Sequence, residues 1–240
     1  LNGRRLKHVV LDLLKSGELF QRLGGLKGAN ERRVLNVLFS TLISQEEEIK
    51  WRSVTAIGTL VAELAEKDME SARNMMRRLM WSLNDESGGI GWGAPECMGE
   101  IMARHEGMAN DYVHILISYT RKDGNFLDYE PLQRGLVWGI GRLSQVRPHL
   151  VRSANGIRPL LPHLDSGDAT IKGLTAWTLG LLAAAEARSG LENLVREHKE
   201  IKLYQDGHLH TRLVSDLARE ALDRISKNAP AHLATRGGPV

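Results

Sequence analysis

The sequence predicts an all-α fold, an α-α superhelix of about five helix pairs with an N-terminal helical cap. Three observations carry this expectation. A glycine recurs roughly every forty residues, an amphipathic segment precedes each recurrence, and strand signals are nearly absent. The stretches WRSVTAIGTL (51–60), WGAPECMGEI (92–101), RGLVWGIGRL (134–143) and GLTAWTLGLL (173–182) align with Gly58, Gly99, Gly141 and Gly180 at the eighth position. A fifth copy, DLAREALDRI (216–225), puts Asp223 there, and the steps are 41, 42, 39 and 43 residues.

The elements follow in order. RRLKHVVLDLLKSGELFQRL (4–23) reads as the capping helix or helix pair. RRVLNVLFSTL (32–42), RNMMRRLMWSL (73–83), NDYVHILISYT (110–120), the Pro-broken VRSANGIRPLLPHL (151–164) and LENLVREHKEI (191–201) are the first helices of the five units. The glycine-bearing stretches are the second helices. Repeats therefore fall near 28–66, 67–106, 107–147, 148–188 and 189–227, in one domain over 1–227 whose 1–27 is the cap. The tail 228–240, with Pro and Gly and no apolar period, is expected to be disordered.

Units of this period, with TAIG, GIG and AREALD as remnants of an A-x-A-L-G motif, resemble HEAT-like repeats of the phycobilisome-lyase type. The Gly-rich stretch 84–100 also resembles one in bacterial HEAT-repeat proteins without an assigned activity. The resemblance spans about residues 28–227 and implies a right-handed solenoid. It implies no activity, because such arrays serve many functions.

Placing each second helix at about 100° per residue separates two sides. Taking the glycine as zero, positions −5, −2, −1 and +2 form a small and apolar stripe, including Ala56, Ile57, Cys97, Met98, Ile140 and Leu179. Cys97 lies in this stripe, which predicts a buried thiol. Positions −7, −3 and 0 lie opposite and hold Trp51, Trp92, Glu96, Arg134, Trp138 and Trp177 beside the glycines. In stacked helix pairs the second helices line the concave face, so these residues are the candidate partner-binding surface. The other reading is an aromatic ladder packed between repeats, with glycines for close helix contact. In-register stacking would set Trp92 beside Arg134 and Glu96 beside Trp138, a small aromatic patch that also allows a Glu96–Arg134 ion pair.

The stretch NDESGGIGWGAPECMGE (84–100) reads as the connector of the second unit. Its acids suit a helix N-terminus, and Pro95 suits a first turn. It has no G-K-[ST] ending, so a phosphate loop is excluded. Ser87, Gly88, Gly89 and Gly91 retain the option of a backbone anion nest. His105-Glu106 resembles the dyads of HEAT-repeat di-iron hydroxylases, but that family needs several in register and one does not suffice. Asp206, His208 and His210 form D-x-H-x-H, read as entry into the last helix. No metal ligands, cofactor or catalytic residues are assigned.

The net charge is +3 with an isoelectric point near 9.1, too mild for a nucleic-acid signature. Residues 1–33 carry eight Lys/Arg against three acids, whereas 46–106 carry seven against twelve. The single cysteine excludes an internal disulfide and points to a reducing compartment. No run is long enough to span a bilayer. LNGRRLKHVV has no secretory pattern, and its lack of an initiating Met suggests a trimmed or partial chain. The expectation is a cytoplasmic, non-catalytic scaffold that binds a protein or peptide on its Trp-lined face, with no membrane partner. The alternative is a HEAT-like DNA-binding protein or an enzyme similar to HEAT-like alkylpurine DNA glycosylases, which hold the lesion in a Trp-lined cleft with an Asp and an Arg, a set that Trp92, Glu96, Arg134 and Trp138 resemble. One Arg and no Lys at the groove positions argues against it.

Overall fold

The computed structural model describes residues 3–16, 31–84 and 91–228. Twelve α-helices occur among them. The cap helix α1 (Gly3–Lys15) precedes the pair α2 (Glu31–Thr41) and α3 (Glu47–Lys67). Next come α4 (Met69–Leu83) with α5 (Ala94–Arg104), and α6 (Glu106–Ser118) with α7 (Glu130–Val146). The fourth unit breaks its first helix into α8 (Pro148–Ser153), α9 (Ile157–Leu160) and a 3-10 turn (Leu161–Asp165), then forms α10 (Ala169–Leu181). The last comprises α11 (Arg188–Leu194), strands β1 (Glu200–Gln205) and β2 (His208–Leu213), and α12 (Val214–Lys227). The proposed tail beyond Asn228 and the second half of the proposed cap lie outside the described residues.

Local chemistry sets the boundaries. Asp68 ends α3 and caps α4, its carboxylate accepting from the Ser71 N–H at 3.1 Å. His105 separates α5 from α6, and its Nδ1 accepts from the Met108 N–H at 3.1 Å. The His105-Glu106 pair is thus a helix junction. Pro95, Pro131 and Pro148 occupy first turns, where a missing N–H costs nothing. Pro159 and Pro162, with Asn155 at φ 56°, account for the broken fourth unit.

The second helices α3, α5, α7, α10 and α12 pack in series as an inner layer. Their predicted core stripe is buried: Ala56, Ile57, Cys97, Met98, Ile140 and Leu179 are all sealed. Burial pushes the Cys97 thiol well above its ordinary pKa, with the Glu96 carboxylate adding to the shift. An inert core thiol results, as its position implies.

The opposite side departs from the simplest reading. The recurring glycines face neighbouring inner helices. A Cβ on Gly99 would lie 2.4 Å from the Gly139 backbone, one on Gly141 2.1 Å from Trp177, and one on Gly180 2.7 Å from Ala221. Layer helices have neighbours on both flanks, so a glycine here lets two axes approach rather than making room for a partner. Gly99→Ala therefore inserts a methyl into backbone. We expect a loss of about 1–3 kcal/mol by urea unfolding, despite alanine's better helix propensity. A stabilised variant would show that α5 and α7 are not so close.

The expectation of near-absent strands is overturned at 200–213. The helix predicted over 191–201 stops at Leu194, and β1 pairs antiparallel with β2 from Glu200↔Leu213 to Gln205↔His208. Asp206 and Gly207, at φ 52° and 85°, make the two-residue turn, as Asp-Gly does when both central residues need positive φ. Asp206, His208 and His210 therefore belong to a hairpin and not to the entry into the last helix. Asp206 sits in the turn, and His208 and His210 lie on β2.

Candidate functional site

The hairpin lies against the inner layer and defines the site. β1 buries Ile201 and Leu203 on one face; on the other, Tyr204 is buried while Glu200 and Lys202 are exposed. Ile201 enters the space left by Gly173 on α10, where a Cβ would lie 2.6 Å from its Cδ1. The Tyr204 ring stacks on Trp51, with centroids 4.9 Å apart and planes 12° from parallel. Its hydroxyl shares a 2.9 Å hydrogen bond with Thr55 Oγ1. The Trp138 Nε1–H donates to the Tyr204 carbonyl at 2.8 Å, and Trp138 lies 4.6 Å from Trp51. Burial holds the Tyr204 phenol above its ordinary pKa, with the Thr55 hydrogen bond opposing. Lys202 on β1 pairs with Glu47 at the start of α3.

A cavity of about 470 Å³ remains beside this hairpin. Trp51, Trp92, Glu96, Arg134 and Trp138 all line it, together with Lys50 and the hairpin residues Glu200, Ile201 and Lys202. Trp177 does not; it packs against Gly141. Trp138 is 2% exposed and forms the wall. Trp92 is 36% exposed and meets the exposed Tyr129 edge to face at 5.8 Å. Trp92 and Tyr129 are therefore the solvent-exposed aromatic surface beside the cavity.

The charges pair differently from the in-register picture. Glu96, 2% exposed, receives the Lys50 ammonium at 2.7 Å, and Lys50 also sits 5.1 Å from the Trp51 ring centroid. Burial works to lower the Lys50 pKa, but the Glu96 carboxylate outweighs it and raises the value. Arg134 pairs with Asp168, whose other oxygen accepts from the Ile171 N–H and caps α10. The Glu96–Arg134 pair is thus not formed. The expected stacking of Glu96 on Trp138 is also offset, because the Glu96 carboxylate lies 2.4 Å from where a Gly135 Cβ would be.

Sequence reasoning missed Lys50, Lys202, Tyr129 and Tyr204. Lys50 adjoins Trp51, so it was within reach of the face assignment. Tyr204 was hidden by the misread hairpin. Of the possible anion loop, Ser87, Gly88 and Gly89 lie outside the described residues. Gly91 abuts the end of α4, with its Cβ position 2.8 Å from the Ser82 carbonyl, and accepts from the Ala94 N–H at 3.0 Å.

The inner layer of helix pairs places the molecule among known folds. Its overall course follows a designed armadillo repeat protein with a TM-score of 0.51 at 18% identity, over 92% of this chain and 99% of that one. The fold is a helical repeat solenoid. A designed armadillo repeat protein in complex with the peptide (KR)4 matches with a TM-score of 0.51 at 17% identity, over 92% and 99% of the two chains. An engineered protein matches with a TM-score of 0.53 at 15% identity, over 93% and 97%. In sequence, an uncharacterized protein of Archaeoglobus fulgidus is 28% identical over 194 residues, which is 78% of this chain and 94% of that one. No family model matches. No helix among the described residues is long and apolar enough to cross a membrane.

Proposed function

We propose that this chain is a HEAT-like, non-catalytic interaction module of the cytoplasm, a single domain over 1–227 that binds an extended segment of a partner protein. The segment occupies the cavity between the β1–β2 hairpin and the inner helices. One observation carries the reading: Trp92, packed against the exposed Tyr129, lines an aromatic cavity in which Lys50, Glu96, Arg134, Lys202 and Glu47 already have charged partners. Such a site rewards burial of apolar and aromatic ligand groups, with polar contacts setting register. The repeat fold supports it, since a solenoid of the same class holds a peptide, (KR)4, in its designed form. Glu47, Glu96 and Glu200 balance Lys50, Arg134 and Lys202 around this cavity, so net charge selects neither a basic nor an acidic segment.

The test is a display selection of random peptides on the full chain, with each binder re-measured on Trp92→Ala/Tyr129→Ala. Both side chains are exposed enough that the fold survives their loss. Binders are expected to lose at least about tenfold in affinity, in line with an aromatic hot spot. Failure to recover any binder, or binders indifferent to the double substitution, would overturn the proposal. So would salt-sensitive binding of duplex DNA that competes with the peptides.

A further inference from the structure

A second cavity of about 1120 Å³ is lined by the connector between α6 and α7 and by the broken first helix of the fourth unit, and lacks the hairpin and the six aromatic-groove residues. Its wall carries four permanent cations, Arg121, Lys122, Arg152 and Arg158, against two carboxylates, Asp123 and Glu186. Asp123 is taken up by the Arg121 guanidinium, which reaches both its oxygens. Arg152 donates to the Leu182 carbonyl, which leaves its charge uncompensated there. Lys122 and Arg158 are exposed and form no ion pair among the described residues. The cavity therefore holds an excess of positive charge in a concave setting, where field lines concentrate.

His163 is the second, independent sign. It lines the same cavity, is 9% exposed, and its Nδ1 has no hydrogen-bond partner. Buried polar atoms are nearly always satisfied, so an unpaired one sealed just behind a cavity wall marks a place where a small shift of the ring on ligand binding would complete the bonding. Burial holds this imidazole below the ordinary histidine pKa, with the Pro159 carbonyl opposing. An arriving anion favours the protonated ring. Phe126, Pro159 and Pro162 complete the wall and suit the organic part of a small molecule.

We infer that this cavity binds a phosphate-bearing small molecule, with Lys122, Arg152 and Arg158 engaging the phosphate oxygens and the His163 ring in the wall beside them. Guanidinium forks match phosphate oxygens in pairs, and a phosphate, with more charge and more oxygens than a carboxylate, can engage three cations at once. The concave shape favours a compact polyanion over an extended acidic chain.

Calorimetric titration of the full chain with inorganic triphosphate and with ATP, at low and physiological salt, tests this. Both are expected to bind, and Lys122→Glu/Arg158→Glu is expected to weaken them at least about tenfold while the melting temperature holds. The His163 imidazole resonances are expected to move on addition of triphosphate. Lys227→Glu, a charge reversal of the same sign outside this cavity, is expected to leave affinity unchanged. Any of four results overturns the inference: no binding at low salt, equal binding by the double variant, an equal loss in the Lys227 control, or tighter binding of a phosphate-free acidic peptide.

Discussion

Tyr204→Ala is expected to detach the β1–β2 hairpin from the inner helices and to cost about 3–5 kcal/mol in stability, the range for truncating a buried aromatic. Tyr204 is the hairpin's deepest aromatic, and three interactions converge on it: stacking on Trp51, the hydroxyl bond to Thr55, and its carbonyl receiving Trp138 Nε1–H. Removing the ring leaves Trp51 and Trp138 facing a void beside a two-stranded sheet, and such sheets are marginal alone. The loss should therefore appear as wetting of these indoles as well as a lower denaturant midpoint. In a Trp81→Phe background, which removes the most exposed indole, emission should shift to the red and acrylamide quenching should rise. Tyr204→Phe keeps the ring and removes only the Thr55 bond, for a cost of about 1 kcal/mol. A Tyr204→Ala variant with native fluorescence would show that the hairpin is not what covers Trp51 and Trp138.

The repeat was legible because one physical demand recurs at every unit. Small residues at Gly99, Gly141 and Gly180 let adjacent inner helices close up, and each helix needs the same apolar stripe toward its own outer partner. Pairings across units were not legible, because neighbouring helices are staggered. Gly99 faces Gly139 rather than Gly141, and Glu96 faces Gly135 rather than Trp138. A shift of two or three residues moves every long side chain to a new partner, so Glu96 meets Lys50 and Arg134 meets Asp168. The sequence contains nothing that sets this offset directly; it follows from how closely the glycines allow the axes to pack. The hairpin failed for a different reason. Asp206-Gly207 is a strong local turn signal, and Ile201, Leu203 and Leu209 supply alternation on either side. Extending a forty-residue template through 191–201 overrode that local chemistry. The candidate site was readable as a set of residues on one helix face, and its cover was not.

Glu100→Ala is expected to destabilise the inner layer strongly. Glu100 is 3% exposed and accepts from Arg104 Nε and Arg142 Nε, each at 2.6 Å, so one carboxylate ties α5 to α7. On its other flank it lies over Gly58 of α3, where an added Cβ would come within 2.3 Å of its Cγ. Alanine would remove the carboxylate that the two guanidinium groups share. Because both reach water in part, the cost is expected near the lower end of the usual range for breaking a buried pair, about 3 kcal/mol. Glu100→Gln keeps the shape and loses the charge, so it isolates the electrostatic part. Gly58 supplies a sharper test of the geometry. In the wild type, Gly58→Ala forces Glu100 aside and should destabilise; in the Glu100→Ala background the Cγ clash is gone and only the Cβ at 3.0 Å and the backbone carbon at 3.3 Å still crowd the methyl, so the same change should cost clearly less. The two substitutions should therefore couple by at least about 1 kcal/mol in a double-mutant cycle read by urea unfolding. Additive effects would mean that Glu100 does not lie over Gly58, and the α3–α5 contact would have to be redrawn.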